Sequence, residues 1–563
     1  MTYNMKITFN TIYTRYKLPL AALAIGATLG LTSCTKNFED FNTNNTGVTP
    51  EDLLPNAENL KLYFTTAQRA VLNFSGGGGP NSYQLQQNLM GDVYGGYLMS
   101  ATPFNSGQNN TNYALVNGWN TEPFKVLYLS VLGPIKRLEE TNLKETYPAV
   151  WGSVLAIKVL ATSRVTDIYG PIPYSIVGNN TTTSIPYDSQ EEVYNQLFTE
   201  LDEAQSLLEA YVNGTNREEL PPNLDEIDLI YSGNENTVRF TKWLKLVHSL
   251  RLRLAMRIVK VNPSLAQQQA EKSLSSGYLF ESNTDNAKVR IDEEAGFLNP
   301  LEFISNNWSD INVNASLESY LVGYQDPRTA KYIDRASGSG VEGYKGIRTG
   351  AIALVKETYA RYSTINFKDG ATPSFTPTTP MMLMTAAEVY FLRAEAALRG
   401  WAGNGGTAKS LYETGIQTSF EQWGATGAAA YIANSSNMPS AYVDPLNSRN
   451  NAAQPSTITI QWNEGSAQEE KLERIITQKW LAMFPEGQEA WSEFRRTGYP
   501  KLFPVAQNNS GGLIDTQVQI RRIPFSQNEY NTNAAEVQKA IGLLGGSDNG
   551  GTRLWWDVNR ANF

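Results

Sequence analysis

Two glutamates near the C-terminal end of the chain have the spacing of a carboxylate pair. Glu489 and Glu493 lie one helical turn apart in GQEAWSEFRR, and two carboxyl groups can act as acid and base in glycoside hydrolysis. That chemistry requires one carboxyl group with a raised pKa. Arg495 and Arg496 follow directly, and neighbouring cations lower carboxyl pKa values. We therefore expect ion pairs here rather than a hydrolytic site.

The only histidine, His248, is the other candidate for catalysis. A single histidine excludes zinc sites built from two or three histidines, and a single cysteine excludes internal disulfides and cysteine-based zinc sites. A catalytic histidine is oriented by an acid, whereas Lys245 and Arg251 flank this one. It also lies outside the apolar arc of its helix. We expect an ordinary polar or helix-contact side chain, so a surface hydrolase is the least favoured alternative.

Two further segments contain residue types typical of ion-binding loops. The four glycines at 76–79 are not followed by the Gly-Lys-Ser/Thr of a phosphate-binding loop, which indicates an ordinary loop. The sequence NTDN at 283–286 offers oxygen ligands for calcium, but its single carboxylate, Asp285, is too few for a site. We therefore predict no cofactor, and a structural calcium ion has no motif to support it.

Aromatic side chains in polar loops are better candidates for ligand binding. Trp119 lies in VNGWNTEP, and Trp308 lies in SNNWSDIN beside Asn307 and Asp310. A flat indole packs against the C–H face of a sugar ring, while amide and carboxylate groups replace the water lost by its hydroxyl groups. These four residues are predicted to bind a glycan. The alternative, that such an aromatic residue only fills a packing gap, stays open for each tryptophan.

The composition is that of a folded, acidic protein. Of the 563 residues, 41% are hydrophobic and 18% are charged, unlike the composition of disordered chains. The length suits roughly three to four average domains or one large solenoid-like domain. A formal net charge of −9 argues against a nucleic-acid partner, which would require a basic surface.

The N-terminal segment is typical of a bacterial lipoprotein signal peptide. A positively charged start precedes an apolar stretch at 18–31, which is shorter than the roughly 20 residues of a membrane-spanning helix. Leu31, Thr32 and Ser33 then lead to Cys34, an order similar to the lipobox, in which the signal is cut before an acylated cysteine. Multiple acyl chains would anchor the protein to a membrane. The predicted segments are a signal peptide over 1–33, a lipidated tether over 34–50 and a helical domain over 51–563.

Apolar periodicity predicts a mainly α-helical domain. Residues 191–208 and 242–260 place apolar side chains at steps of three and four. The segments 384–399 and 407–422 resemble a tetratricopeptide helix pair, which buries its core only against neighbouring helices. A further helix is predicted over 468–483. Long aromatic-bearing loops lie between these helices, so we predict a tetratricopeptide-like scaffold with a loop-rich face in a single large domain.

Eight stretches, in order along the chain, carry a resemblance to a known family. They are NFEDFNTNNTGVTPEDLL, RVTDIYGPIPYS, KWLKLVHSLRLRLAMRI, DPRTAKYI, LMTAAEVYFLRAEAALRG, ITQKWLAMFPEGQEAWSEFRRTGYP, RRIPFSQNEYN and TRLWWD. The ordered set resembles the SusD/RagB family, the nutrient-binding outer-membrane lipoproteins of Bacteroidetes. One departure is His248, since the family's motif helix commonly reads NSLRLRLA.

The resemblance implies a function, a partner and further site residues. It implies a non-enzymatic lipoprotein on the outer face of the outer membrane that captures oligosaccharides and delivers them to a SusC-like TonB-dependent transporter, over which it sits as a lid. It also implies ligand-facing loops in the N-terminal part, which makes Tyr94, Tyr97 and Phe104 candidates for ligand contact. An oligopeptide is the alternative cargo, because some relatives serve peptide uptake.

Overall fold

The computed structural model describes residues 57–73, 79–178, 184–215, 217–367 and 373–563. The predicted signal peptide, the predicted acylation site Cys34 and the tether lie outside the described residues, as do three of the four glycines at 76–79. The account of the fold therefore concerns the domain that begins after the tether.

Helices dominate the described part of the chain. The longer ones are α1 (Glu58–Ala70), α2 (Pro148–Tyr169), α3 (Gln190–Val212), α4 (Asn236–Arg257), α5 (Pro263–Leu274), α6 (Ala315–Gly323), α7 (Ala386–Leu398), α8 (Ala408–Gln422), α9 (Gln468–Ala482), α10 (Gly487–Thr497) and α11 (Ala534–Leu544). The shorter α-helices are Gly79–Tyr83, Asp92–Tyr94, Asn117–Asn120, Glu122–Val126, Gly133–Glu139, Leu143–Thr146, Leu224–Ile227, Pro300–Asn306, Thr329–Tyr332, Lys356–Tyr359, Ala428–Ile432 and Gln527–Thr532. Two π-helices, Gln84–Gly91 and Leu127–Leu132, and three 3-10 helices, Phe104–Gly107, Asn110–Asn112 and Ser448–Asn450, complete the set.

Four short strands form two antiparallel ribbons. Strand β1 (Leu98–Met99) pairs with β3 (Asn312–Val313), and β2 (Ala287–Val289) pairs with β4 (Met381–Met384). Each ribbon joins segments that lie far apart in the sequence. The ribbons therefore fix where the loops leave the helical scaffold.

The long helices pack as successive neighbours. Helix α2 contacts α3, α3 contacts α4, and α4 contacts α5, while α7 packs against both α8 and α9. Small residues permit close approach: a Cβ added at Gly415 of α8 would lie 2.9 Å from the ring of Phe391 on α7. Because each helix buries its apolar side chains against the next, the helices pack as they do in a helical-repeat scaffold.

Helix α2 is apolar enough, by length and composition, to cross a membrane. In its most apolar 18-residue window, however, 94% of the residues are buried inside the domain. Trp151, Leu155 and Ile168 belong to the same hydrophobic core as the facing residues of α3 and α4. We therefore interpret α2 as the central core helix.

A buried network of ion pairs ties five of the helices together, α9 among them through Lys479. Arg253 of α4 forms a two-pronged contact with Glu388 of α7, at 2.8 and 2.6 Å. Arg257, also on α4, pairs with Asp167 of α2 at 3.1 Å and with Glu489 and Glu493 of α10 at 2.5 and 2.7 Å. Buried charges are tolerated when they are paired in this way. These two arginines of α4 thus face carboxylates inside the domain.

The network settles the role of the two glutamates on α10. Burial favours their neutral form, but the surrounding arginines and Lys479 outweigh it and hold the pKa values of Glu489 and Glu493 below the ordinary range. The expectation that cations lower these two pKa values is confirmed. Their ion-pair partners are Arg253, Arg257, Lys479 and Arg496, whereas the neighbouring Arg495 pairs with neither glutamate.

Candidate functional site

The ribbon of β1 and β3 brings the predicted binding loops together. Met99 ends β1 and lies opposite Asn312, where β3 begins. In an antiparallel pair, the chain that leaves one strand lies beside the chain that enters the other. The loop that follows β1 and the turn that precedes β3 are therefore neighbours, and the Thr102 hydroxyl donates a hydrogen bond to Asp310 across the gap.

The loop after β1 holds a pair of aromatic rings. Phe104 and Trp119 meet edge to face, with ring centroids 5.7 Å apart and planes at 87°. Both side chains are half-buried, and the neighbouring Asn105 and Asn117 are exposed. Edge-to-face packing fixes each ring with a favourable contact and leaves part of the outer surface free. This arrangement suits a rigid platform for a ring-shaped ligand.

Buried asparagines hold the Trp119 segment in place. The amide of Asn110 donates to the side-chain oxygen of Asn120 at 3.0 Å and accepts from the backbone N–H of Val116 at 2.9 Å. Asn109 caps the short helix that begins at Asn110 by accepting from the N–H of Thr111. Asparagine suits these positions because one amide donates and accepts at once. The Asn-rich sequence NNTN thus folds into a polar scaffold beneath the tryptophan.

The turn before β3 holds a second aromatic pair. Phe303 and Trp308 also meet edge to face, with centroids 5.4 Å apart and planes at 80°. Phe303 is 37% exposed, Trp308 is half-buried and Asn307 is exposed. Ser309 adopts a φ of 53°, a left-handed conformation that lets the chain reverse directly after the tryptophan. Because the two pairs sit at the same end of the ribbon, we call them together the aromatic surface: Phe104, Trp119, Phe303 and Trp308.

Asp310 anchors the turn that carries Trp308. Its carboxylate accepts from Lys356 Nζ at 2.7 Å and from Thr102, and the same Lys356 Nζ donates to the backbone oxygen of Trp308 at 2.9 Å. The Asp310 residue is buried, whereas the Lys356 side chain is 36% exposed. The carboxylate is thus occupied by partners within the protein. We assign Asp310 the role of positioning Trp308.

Tyr94 and Tyr97 lie in the core rather than on the aromatic surface. The Tyr94 ring packs against Trp491 at 5.1 Å, and its hydroxyl donates to the backbone oxygen of Asn110. Tyr97 is fully buried, stacks on Trp480 at 5.2 Å and donates to the backbone oxygen of that residue. Buried rings have no face open to a ligand, so the expectation for these two tyrosines is corrected to a packing role.

A cavity of about 280 Å³ has one wall on the short helix that carries Phe303. Leu301, on the same short helix as Phe303, contributes to its wall together with Tyr83, Phe375 and Trp423. Its walls combine aromatic rings with polar groups, as small-ligand pockets commonly do. The four rings of the aromatic surface are not part of its lining, so the cavity is a separate feature.

The only histidine lies away from the aromatic surface. His248 is fully buried on α4, where burial, followed by Arg251 and Lys272, lowers its pKa to about 3. Burial of this side chain was unexpected from the helical wheel; it arises because α4 packs against both α3 and α5 and so buries more than one face. A neutral, enclosed imidazole on a scaffold helix is a structural residue.

The NTDN segment makes internal contacts. Asp285 accepts from Lys245 Nζ at 3.0 Å and from the backbone N–H groups of Glu281 and Ser282. Over the described residues, no group of three or more His, Cys, Asp or Glu side chains could hold a metal ion. The one carboxylate of the segment therefore closes a turn against α4.

Two residues of the candidate site were not predicted from the sequence: Phe303, which belongs to the aromatic surface, and Lys356, which holds Asp310. Phe303 lies in PLEFISNN, which reads as an ordinary helical segment, and Lys356 lies far from Trp308 in the sequence. Phe303 could have been identified by its position five residues before Trp308, because the residues just before that tryptophan are polar. No local pattern could have identified Lys356, because it meets Asp310 only through tertiary folding.

Comparison with known proteins identifies the class. The family model for SusD-like proteins, described as SusD and RagB outer membrane lipoproteins, matches residues 40–557. This chain therefore belongs to the SusD-like family of outer membrane lipoproteins, as the ordered motifs predicted. No curated protein matches the chain.

Solved structures of relatives support the fold over nearly the whole chain. A chitin-binding SusD homologue from Flavobacterium johnsoniae is 42% identical, with a TM-score of 0.82, and the match covers 90% of this chain and 100% of that one. SusD homologues from Bacteroides vulgatus (38% identity, TM-score 0.80, 92% and 100% covered) and Bacteroides uniformis (37%, 0.80, 89% and 99%) are also similar. The predicted fold class, a mainly α scaffold in a single large domain, is confirmed.

Proposed function

We propose that this protein is a non-catalytic, glycan-binding lipoprotein of the outer cell surface. The observation that carries the proposal is the aromatic surface, in which two edge-to-face pairs lie at one end of the β1–β3 ribbon. Each pair presents a fixed, partly exposed ring that can pack against the apolar face of a sugar. Exposed Asn105, Asn117 and Asn307 lie next to these rings and can accept or donate hydrogen bonds.

The substrate class that we favour is an N-acetylated oligosaccharide. A relative that is 42% identical is described as chitin-binding, and chitin is a chain of acetamido sugars. An acetamido group has one donor and one acceptor, which matches the amide side chains beside the rings. The oligopeptide alternative would need a groove that exposes backbone hydrogen-bonding groups. The exposed features of the aromatic surface favour the sugar.

Delivery to a transporter follows from the proposed capture role. A surface binder that passes its cargo on must release it, so we expect a Kd between micromolar and millimolar, about 4 to 8 kcal/mol. The proposed partner is a SusC-like TonB-dependent transporter, with this protein above its opening on the extracellular side. Copurification of the native lipoprotein with a transporter barrel in mild detergent tests this pairing, and a strictly solitary protein would contradict it.

A binding screen separates the candidate functions. The mature protein is titrated calorimetrically with chitin oligosaccharides, with unrelated oligosaccharides and with mixed oligopeptides, and each sample is then analysed for products. We expect saturable binding of an oligosaccharide that is recovered intact. Binding of peptides alone would replace the glycan proposal, and cleaved sugar would replace the non-catalytic one.

A further inference from the structure

Two buried cations in the described part of the chain lack a carboxylate partner. The other buried Lys and Arg side chains there each form an ion pair with Asp or Glu. The exceptions are Lys260, directly after α4, and Arg495 on α10. Buried charges are costly unless they are compensated. Two exceptions in one molecule therefore call for a physical explanation.

Both exceptions line the same cavity, of about 420 Å³. The Lys260 ammonium donates to the backbone oxygen of Arg496 at 3.2 Å. The Arg495 guanidinium donates to the backbone oxygens of Asp167 and Arg521 and to the Ser492 hydroxyl. The Arg495 guanidinium also lies 3.6 Å from the centroid of the Trp491 ring and 5.0 Å from that of Trp556. These hydrogen bonds and ring contacts supply partial negative charge, but no full negative charge. The C-terminal carbonyl groups of α10 add a fraction of one more charge.

Further cations also line this cavity. Arg560 is exposed at its rim and forms no ion pair in the described part of the chain. Arg553 and Arg521 share one carboxylate, Asp557. The carboxylate that lines the cavity, Glu469, is occupied by the Tyr499 hydroxyl and the Asn562 amide. Positive charge is thus in excess here, although the whole chain carries a net charge of −9.

Burial is the main cause that lowers the pKa values of the two buried cations, and neighbouring arginines add to it. Burial, followed by the nearby Arg496, lowers the pKa of Lys260 to about 8. Burial also lowers the pKa of Arg495 to about 9, even though Asp167 and Asp557 act in the opposite direction. A full negative charge inside the cavity would stabilise both protonated forms.

We propose that this cavity, bounded by Lys260, Arg495 and Arg560, binds a phosphate group. A phosphate dianion carries the charge that the two buried cations lack, and its oxygens accept hydrogen bonds from ammonium and guanidinium groups. The volume of about 420 Å³ has room for the group and for part of the molecule that bears it. The same chemistry serves a free phosphate and a lipid headgroup phosphate.

The test is a titration of the full mature chain, in detergent, with inorganic phosphate at constant ionic strength. We expect saturable binding with a Kd below about 1 mM. Lys260→Gln and Arg560→Gln should each weaken it about tenfold or more. Arg449→Gln, which removes an exposed arginine outside the cavity, should bind as the wild type does. Because Arg560 is exposed, its variant tests the site even if Lys260→Gln fails to fold.

A second arm distinguishes the source of the phosphate. The same variants, without their acyl chains, are sedimented with vesicles that contain phosphatidylglycerol and with neutral phosphatidylcholine vesicles. If the protein binds the anionic vesicles selectively and both cavity variants lose this binding, the ligand is a lipid headgroup. If the protein binds inorganic phosphate but not the anionic vesicles, the ligand is a free phosphate. No saturable binding in either arm, or binding unchanged in both variants, would overturn the proposal.

Discussion

At the scale of single residues, Trp308 is the ring through which the binding proposal is most simply tested. Its indole is held edge to face by Phe303 and partly exposed. Trp308→Ala should weaken oligosaccharide affinity about tenfold or more, since burying a large apolar side chain contributes roughly 1.5 to 3 kcal/mol. Calorimetric titration measures the change. Tyr390→Ala, at a half-buried aromatic residue on α7, is the matched control and should bind normally.

Asp310 is expected to act through Trp308. Asp310→Asn weakens the contact with Lys356, and Lys356→Met removes it from the other side. Each change should lower oligosaccharide affinity by a smaller factor than Trp308→Ala, because the indole remains but is less firmly placed. The double variant should lose no more affinity than the larger single change. Fully additive losses would instead indicate that each side chain contacts the ligand by itself.

Asp92 makes the stability of the domain depend on pH. Burial raises the pKa of this carboxyl to about 7, with a smaller contribution from Glu486 and an opposing hydrogen bond from Asn88. Since the folded state binds the proton more tightly than the unfolded state, whose pKa is 3.8, stability is lost as the pH rises through about 7.

Asp92→Asn should remove that dependence. The amide cannot ionise, so the stability of the variant relative to the wild type should rise by about 2 to 3 kcal/mol between pH 5 and pH 8. Denaturant unfolding at both pH values measures the difference. Equal effects at pH 5 and pH 8 would show that Asp92 is not the titrating group.

At the scale of elements, Gly→Ala changes on two helices should have opposite effects, because one glycine lies where α8 packs closely on α7 and the other is exposed on α11. At Gly415 the new methyl group would lie 2.9 Å from the Phe391 ring, so Gly415→Ala should cost about 1 to 3 kcal/mol of stability. Gly542 of α11 is exposed and has nothing within 4 Å of an added Cβ. Gly542→Ala should stabilise the protein by roughly 0.5 to 1 kcal/mol through helix propensity. Denaturant unfolding of both variants measures these changes in the free energy of unfolding. Destabilisation by Gly542→Ala would contradict the second expectation.

The helices were predictable from the sequence because their apolar periodicity is strong. The predicted 468–483 and 407–422 correspond to Gln468–Ala482 and Ala408–Gln422. Tyr94 and Tyr97 were misjudged because the family resemblance implies ligand-facing loops in the N-terminal part of the chain, where GDVYGGYLM lies. In the fold its backbone belongs to a short helix and to β1, and tertiary packing encloses both rings.

The candidate site was only partly predictable for the same physical reason. Trp119 and Trp308 are recognisable in the sequence by their polar neighbours. Their placement at the same end of the ribbon depends on the pairing of β1 with β3, more than 200 residues apart in the chain. Such pairings leave no local pattern. The cavity around Lys260 and Arg495 was equally hidden, because a missing carboxylate partner becomes visible only after folding.

At the scale of the whole molecule, the membrane anchor is expected to depend on one residue. Cys34 lies outside the described residues, and its acylation rests on the lipobox-like sequence before it. Cys34→Ser should abolish incorporation of labelled palmitate and release the protein from the membrane fraction. Undiminished labelling in the variant would contradict the assignment.

Protease treatment of intact cells tests the outward orientation, since a surface protein should be cleaved.

The central claim is that the aromatic surface receives the cargo. The most direct measurement is a crystal structure of the protein with the oligosaccharide that binds best in the screen. We expect sugar rings in van der Waals contact with Trp308 and with at least one ring of the Phe104–Trp119 pair. An oligosaccharide bound elsewhere on the molecule, with these rings left open to solvent, would contradict it.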